Sequence, residues 1–382
     1  MKSTIKYLMY VAALFVVSCT EPSDMLTVIN PDGSCYREFS ANTQPHFLLG
    51  DSTAKLNPFP VEIDSTWKIT WKYNSSKLRS DFPISKLVYD SITKKKSQTK
   101  RHIINGEKTS DNLIVFARCN YKSVEEMATK FKLKPSHEWS NMKVKYGLEK
   151  KFRWFYTYYT YREIYPKLKF DFEIPIEEYM TKDEAQFWFT GKPNILQGMN
   201  GLETRQYIGE IENGYNKWFS KNLWNAEYKI LLYNYNKITN KPIQIEQLKL
   251  LRDTIFKSKV KDFEDFKMEQ ILNDYFKTNE FSILWHNENS PMKKFEEDFN
   301  GRVVSRLYSS FNYKLVMPGK VLKSGDAVVH GDTLSWRLTA YRMVPEDYVI
   351  EAQSRKANVW AFILTGIIAI IAVGSFLWKP KR

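Results

Sequence analysis

The positions of apolar and polar residues divide the chain into segments of two kinds. From residue 24 to about 176, apolar residues mostly alternate with polar ones, which is the period of strands that bury one face. From about 177 to 300 they recur every three or four positions, as along one side of a helix. The alternation returns after 300. We therefore predict an α+β protein in which an antiparallel sheet domain carries a helical insertion.

Individual elements can be placed within this pattern. Residues 25–29 and 35–39 flank a Pro-Asp-Gly-Ser turn and predict a hairpin, and 65–73 and 113–119 predict further strands. Ser123 is followed three residues later by a glutamate, the spacing of a capping box, so a short helix is expected to begin there.

The helical insertion spans 177–300. Its apolar period predicts a long amphipathic helix after Gly201, and Lys241 and Pro242 break the pattern before further helices. We interpret its aromatic stripe as a packing face in the first place and as a docking surface in the second.

The most aromatic segment is 152–162, which reads FRWFYTYYTYR. Aromatic and β-branched residues favour strands, and alternation would place Trp154, Tyr156 and Tyr158 on one face. These three residues are candidates to face a ligand, since tyrosine and tryptophan can stack against a glycan or a lipid headgroup. Ordinary cross-strand packing of aromatic pairs is the alternative, and the sequence leaves both open.

The N-terminus has the features of an export signal. Lys2 and Lys6 precede an uncharged stretch over 7–17 that is too short to span a bilayer comfortably. It ends in Val-Val-Ser-Cys, which looks like a bacterial lipobox. We predict a signal peptide over 1–18 and acyl chains, such as palmitate, on Cys19.

The C-terminus has the features of a membrane span. No charge occurs between Lys356 and Lys379, and Trp360 and Trp378 stand near the two ends of the intervening 22 residues. Twenty apolar residues match the thickness of a bilayer, and indoles prefer its interfaces. We predict a transmembrane helix over 357–378 followed by a cytoplasmic tail over 379–382.

These two signals together predict a location. A lipid on Cys19 would lie on the outer leaflet, and the positive-inside rule would place the last residues in the cytoplasm. The mainly β region 19–176, the insertion and the β region 301–356 would then be extracytoplasmic. The predicted location is the bacterial inner membrane.

Charge adds little to this picture. The formal net charge is +14, from 57 Lys and Arg residues against 43 Asp and Glu residues. Such an excess could steer the domain toward anionic headgroups, but interspersed charges are also typical of an ordinary solvated surface. Because the termini indicate export, we expect no nucleic-acid partner.

Candidate chemistry is sparse. Cys35 and Cys119 lie on predicted strands and could form a disulfide in an oxidising compartment, or remain two buried thiols. The five histidines are scattered without ligand spacing, so we predict no metal site and no cofactor. No nucleophile elbow, P-loop or dinucleotide fingerprint occurs, so we assign no catalytic residue and expect a protein that is not an enzyme.

One resemblance rests on residues 317–336. A Met-Pro-Gly follows a predicted strand, a Gly-Asp-Thr-Leu-Ser-Trp hairpin comes next, and the predicted transmembrane helix comes immediately after the last strand. Together with the lipobox at Cys19, this order resembles the LppM-like family of bacterial lipoproteins, and the chain is also similar to lipoproteins of Bacteroidetes-type bacteria. The resemblance implies an α+β domain outside a membrane that binds lipids or glycolipids, although the long helical insertion departs from the compact family pattern.

Three functional hypotheses follow. The first is a non-enzymatic envelope lipoprotein whose extracytoplasmic domain binds a lipid, a glycolipid or a partner protein. The second is a structural or assembly factor of an envelope complex, with the helical insertion as its docking face. The third is a glycan-acting envelope enzyme, which would need two facing carboxylates in a cleft lined by residues 152–162.

Overall fold

The computed structural model describes residues 23–42, 45–50, 57–73, 78–89, 113–170, 172–260, 267–286 and 290–377. Within these residues the chain forms two compact units. The first, which we call the β unit, includes the described residues from Ser23 to Pro166, Ser310–Leu338 and the described residues from Tyr348 to Leu377. The second, the helical unit, comprises Lys167–Ser309 and Thr339–Asp347. The helical insertion was predicted over 177–300. The predicted signal peptide, Cys19, His102, Trp378 and the predicted tail lie outside the described residues.

The β unit contains two sheets. The strands, in chain order, are β1 (Ser23–Ile29), β2 (Cys35–Asn42), β3 (Trp67–Tyr73), β4 (Ser80–Asp81), β5 (Leu113–Tyr121), β6 (Lys145–Phe152), β7 (Tyr156–Tyr165), β8 (Ser310–Val316), β9 (Lys320–Lys323), β10 (Val328–His330), β11 (Thr333–Thr339) and β12 (Tyr348–Ala357). The larger sheet has the order β10-β11-β8-β1-β2-β5-β3-β4, and the smaller one has the order β6-β7-β12-β9.

The larger sheet is mixed, so the prediction of an antiparallel sheet domain is wrong. β1 pairs with β2 in antiparallel orientation, as the turn predicted, but it pairs with β8 in parallel, with Met25 opposite Tyr313. A parallel pair needs a long crossover between its strands. Here more than 270 residues separate β1 from β8, so the chain can return to the same edge in the same direction.

The aromatic segment 152–162 forms a hairpin instead of one continuous strand. β6 ends at Phe152, the chain turns through 153–155, and β7 begins at Tyr156. Arg153 donates its backbone N–H to the carbonyl oxygen of Tyr156 at 2.8 Å, which closes the turn.

The helices, in chain order, are α1 (Pro45–Leu48), α2 (Val124–Lys130), α3 (Lys182–Thr190), α4 (Gly201–Asn234), α5 (Ile245–Lys259), α6 (Met268–Phe276), α7 (Pro291–Phe299), α8 (Ser305–Tyr308) and α9 (Val359–Leu377). The short helix expected after Ser123 is α2: the Ser123 hydroxyl accepts the N–H of Glu126 at 3.2 Å. The long helix expected after Gly201 is α4, which has 34 residues and a capping box from Asn200.

The helical unit has its own core. Trp224, Tyr228 and Leu231 of α4 are fully buried at its centre, and Leu248 of α5 and Leu272 of α6 pack with them. The Tyr228 hydroxyl donates to the carbonyl oxygen of Leu248 at 2.7 Å, so this tyrosine fills core volume without leaving its polar end unpaired.

Within the part of the chain that the structure describes, no helix is both long and apolar enough to cross a membrane. This finding contradicts the transmembrane helix predicted over 357–378. The helix at that position, α9, has 19 residues.

Candidate functional site

The β unit contains a partly open cavity of about 360 Å³. Its wall consists of side chains from β1, β2, β7 and β8 and from the segment that runs from α2 to β6: Met25, Arg37, Ala128, Phe131, Lys132, Leu133, Trp139, Ser140, Met142, Lys143, Val144, Tyr146, Tyr165 and Phe311. Most of these side chains are apolar or aromatic, which is the usual composition of a small-molecule site.

The segment between α2 and β6 is fixed by one local hydrogen bond and by contacts with distant parts of the chain. α2 ends at Phe131, whose N–H still bonds to the carbonyl oxygen of Met127 at 2.9 Å. Leu133 then forms an isolated bridge with Val61. Trp139 is held between two other rings, with centroids 5.1 Å from Phe311 and 6.1 Å from Tyr165. This wall is therefore fixed by packing.

A buried ion pair lies at the base of the cavity and links the two sheets. Nη2 of Arg37, in β2, is 2.6 Å from Oε1 of Glu163, in β7, and both side chains are fully buried. The rest of the guanidinium is also partnered: Nε donates to the Thr27 hydroxyl at 3.0 Å and Nη1 to the Tyr146 hydroxyl at 3.3 Å. Burying a charge is costly unless it is paired and hydrogen-bonded, and Arg37 meets both conditions.

Three tyrosines complete the pairing of Glu163. Its Oε1 accepts the hydroxyls of Tyr161 at 2.6 Å and Tyr313 at 2.5 Å, and its Oε2 accepts that of Tyr165 at 2.5 Å. Burial and the neighbouring carboxylate raise the pKa of each of these phenols well above the usual value. They therefore remain protonated at neutral pH and donate hydrogen bonds to the carboxylate.

One polar group of the wall has no partner. Trp139 is only 3% exposed, yet its indole Nε1 lacks a hydrogen-bond acceptor among the described residues. An unsatisfied buried donor costs about 1–3 kcal/mol. Trp139 is thus a cavity-lining residue whose buried indole N–H has no acceptor among the described residues.

The rim of the cavity is cationic. Lys132 and Lys143 line it and are exposed. Among the described residues that line the cavity none is an aspartate or a glutamate, and Glu163 lies beneath the wall with its oxygens already occupied. The site therefore combines apolar and aromatic surface with two exposed positive charges.

The candidate ligand-facing residues lie elsewhere. In β7 the inward face consists of Thr157, Tyr159, Tyr161, Glu163 and Tyr165, all buried, whereas Tyr156 and Tyr158 are half-buried on the opposite face. Trp154 lies in the turn before β7 and is 44% exposed. None of the three candidates lines the cavity.

Both described cysteines are free and buried. They lie in the neighbouring antiparallel strands β2 and β5, but Cys35 is opposite Tyr121 and Cys119 is opposite Arg37. Such diagonal positions are about 7–8 Å apart, beyond the usual reach of a disulfide. Burial raises the pKa of the Cys35 thiol to about 11.

The described histidines do not form a metal site. Among the residues that the structure describes, no group of three or more His, Cys, Asp or Glu side chains could hold a metal ion. His137 is used for packing, since its ring stacks on Phe311 at 5.2 Å and burial lowers its pKa.

Sequence analysis did not select Arg37, Glu163 or Trp139. The sequence did contain an indication of the buried arginine, because Arg37 alternates with Cys35 and Phe39 on the buried face of β2. A charged residue among the apolar residues of a strand's buried face indicates a buried charge that is paired with another group. The partner itself, 126 positions away, has no local signature.

No protein-family model, no curated protein and no solved structure matches this chain. The resemblance to the LppM-like family stays a prediction, and the function has to be argued from the site.

Proposed function

We propose that this protein is an envelope lipoprotein, tethered through a lipid on Cys19, whose β unit binds a lipid or glycolipid in the cavity. The observation that carries the proposal is the cavity wall itself. Most of its side chains are apolar or aromatic, one of them is Trp139 with its unpartnered indole N–H, and two exposed lysines line it as well.

Each part of the wall selects a different part of an amphipathic ligand. Phe131, Met142 and Phe311 provide apolar contact for a hydrocarbon chain or the flat face of a sugar. Trp139 would donate to an ester, hydroxyl or phosphate oxygen, which removes the cost of its unpaired N–H. Lys132 and Lys143 would attract an anionic group at the rim.

The volume limits how much of a ligand is enclosed. A cavity of about 360 Å³ lies at the lower end of the ~300–1,000 Å³ typical of small-molecule sites. It fits one chain segment or a headgroup better than a complete diacyl lipid. The rest of such a ligand would extend through the opening.

Photo-cross-linking in membranes tests the proposal. The full chain is expressed in a bacterial host, incubated with a diazirine-bearing C16 fatty acid and irradiated, and labelled peptides are mapped by mass spectrometry. We expect labelling within residues 128–146.

A pair of variants on α2 makes the test specific. Ala128 and Thr129 are both exposed, but only Ala128 lines the cavity, so Ala128→Trp should obstruct the opening while Thr129→Trp should not. We expect Ala128→Trp to reduce labelling of 128–146 at least fivefold and Thr129→Trp to leave it unchanged. Equal labelling in both variants, or none in this segment, would refute the proposal.

A further inference from the structure

A cluster of exposed aromatic side chains lies where the β6–β7 turn meets the start of α9. We call it the aromatic tip and define it as Phe152, Trp154, Phe155, Trp360 and Phe362. Phe152 stacks on Trp360 with centroids 6.3 Å apart, Trp154 meets Trp360 edge-on at 5.2 Å, and Phe155 lies 4.7 Å from Phe362. The cluster is therefore one continuous aromatic surface.

Asn358 fixes the turn to the helix. Its Nδ2 donates to the carbonyl oxygens of Arg153 at 2.7 Å and Trp154 at 3.1 Å. Its backbone N–H donates to the carbonyl oxygen of Phe155 at 2.9 Å. The Thr157 hydroxyl donates to Asn358 Oδ1 at 2.9 Å. Every polar contact of this side chain holds the turn in place.

Trp154 is fixed as well. Its Nε1 donates to the hydroxyl of Thr365, in α9, at 2.8 Å. These hydrogen bonds hold the turn in a position that leaves its aromatic rings exposed to solvent.

The aromatic tip exposes a large apolar area. Phe152 is 58% exposed, Trp154 44% and Trp360 53%. α9 continues the surface, since Ile363 and Ile367 are 59% and 49% exposed. A contiguous apolar patch of this kind marks a contact surface with a protein or a membrane.

Basic residues surround the aromatic tip. Residues 149–156 and 355–362 contain five Lys or Arg residues and a single carboxylate, Glu149. Glu149 is paired with Lys151 at 2.7 Å, and the ring of Tyr156 lies under Arg355 at 4.5 Å. The Nζ of Lys150 donates to the neutral carbonyl oxygen of Pro31 at 2.9 Å, and the charge of Lys150 also acts on the nearby carboxylate of Asp32. The net positive charge calls for an anionic partner.

We propose that the aromatic tip binds the interfacial region of an anionic lipid bilayer. Tryptophan combines an apolar ring with a polar edge and prefers the headgroup level of a membrane, and lysines and arginines near a membrane surface are attracted to anionic lipids. The two features occur together here on one rigid surface. This surface is separate from the cavity and does not depend on what the cavity holds.

Depth-dependent fluorescence quenching tests this proposal with the full chain. The protein is reconstituted into phosphatidylcholine vesicles with or without 30% phosphatidylglycerol, with bromine at carbons 6 and 7 or at carbons 11 and 12 of the acyl chains. We expect stronger quenching with the shallow bromines and with phosphatidylglycerol present. Trp154→Phe should lower the shallow quenching clearly more than Trp67→Phe, a control in β3.

A charge variant separates the two parts of the proposal. Replacing Lys150, Lys151 and Arg153 with glutamate should abolish the effect of phosphatidylglycerol. The proposal is overturned if phosphatidylglycerol has no effect on the unaltered chain, or if Trp154→Phe changes quenching no more than the control. A dimer in sedimentation that Trp154→Ser disrupts, with quenching unaffected, would instead assign the surface to a second copy of the chain.

Discussion

Nη2 of Arg37 lies 2.6 Å from Oε1 of Glu163, and this contact joins a strand of the larger sheet to a strand of the smaller one. Both side chains are fully buried. The pair occupies the volume between the sheets where an apolar pair would usually lie. It also supports the base of the cavity, because Arg37 lines it.

Removing one charge of this pair should destabilise the protein strongly. Glu163→Gln keeps the shape of the side chain but leaves the Arg37 charge buried without a counter-ion. We expect a loss of about 3–5 kcal/mol in the free energy of unfolding. The measurement is the urea midpoint of the full chain, and Arg162→Gln at the preceding, half-exposed position should cost below about 1 kcal/mol. Similar losses in both variants would contradict this assignment.

The indole N–H of Trp139 should matter for binding more than for folding. Trp139→Phe removes the unpartnered donor but keeps an aromatic ring against Phe311. The lost hydrogen bond, worth about 1 kcal/mol, predicts roughly fivefold weaker labelling of 128–146 by the diazirine fatty acid. Labelling at the level of the unaltered chain would show that the ligand does not accept from this group.

Cys35 should react slowly in the folded protein. Burial raises the pKa of its thiol from the usual 9.0 to about 11, so the thiolate fraction at pH 8 falls roughly hundredfold. Iodoacetamide labelling followed by mass spectrometry should modify Cys35 only after denaturation. Rapid labelling of the folded chain, or an intact mass that shows a Cys35–Cys119 disulfide, would contradict the geometry.

Gly319 gives the Met-Pro-Gly motif a physical basis. Its φ is +73°, and a Cβ atom there would lie 2.3 Å from the carbonyl oxygen of Arg355 in β12. Gly319→Ala should therefore destabilise the β9–β12 pairing by more than about 2 kcal/mol. Gly331 has a similar φ of +61° but open space around it, so Gly331→Ala should cost only about 1 kcal/mol. Equal thermal shifts in the two variants would refute the steric explanation.

Sequence patterns predicted the elements that are fixed by interactions between residues close together in the chain. Gly33, with φ of +101°, closes the β1–β2 turn, and its N–H bonds to the carbonyl oxygen of Asn30 at 3.0 Å. The Ser123 cap likewise acts within four residues. Such interactions depend on neighbours in the chain, so spacing and residue type were sufficient to place them.

Contacts between distant parts of the chain could not be derived in this way. Nothing near β1 indicates that β8 lies beside it in parallel, and nothing in the aromatic run 152–162 distinguishes a turn at 153–155 from a continuous strand. Thr157 and Asn358 meet across 201 positions to fix that turn. The candidate residue Trp154 therefore lies in a tip, and the cavity belongs to residues that the pattern did not select.

The stability of the helical unit should depend on pH through Glu227. This residue of α4 is 4% exposed, and burial, with a smaller contribution from the charge of Glu296, raises its pKa from 4.5 to about 8. Below pH 4.5 the carboxyl is protonated in both states. Between pH 4.5 and about 8 the unfolded chain ionises while the folded one keeps its proton, so the free energy of unfolding falls as pH rises.

Glu227→Gln should abolish that loss. At 1.36 kcal/mol per pKa unit, the free energy of unfolding of the unaltered chain should fall by up to about 5 kcal/mol between pH 4.5 and pH 8.5 because of Glu227. The variant should not show this fall. Urea unfolding at the two pH values measures the difference, and Glu212→Gln, an exposed position on the same helix, is the control. If the difference between Glu227→Gln and the unaltered chain is the same at both pH values, Glu227 is already ionised in the folded protein.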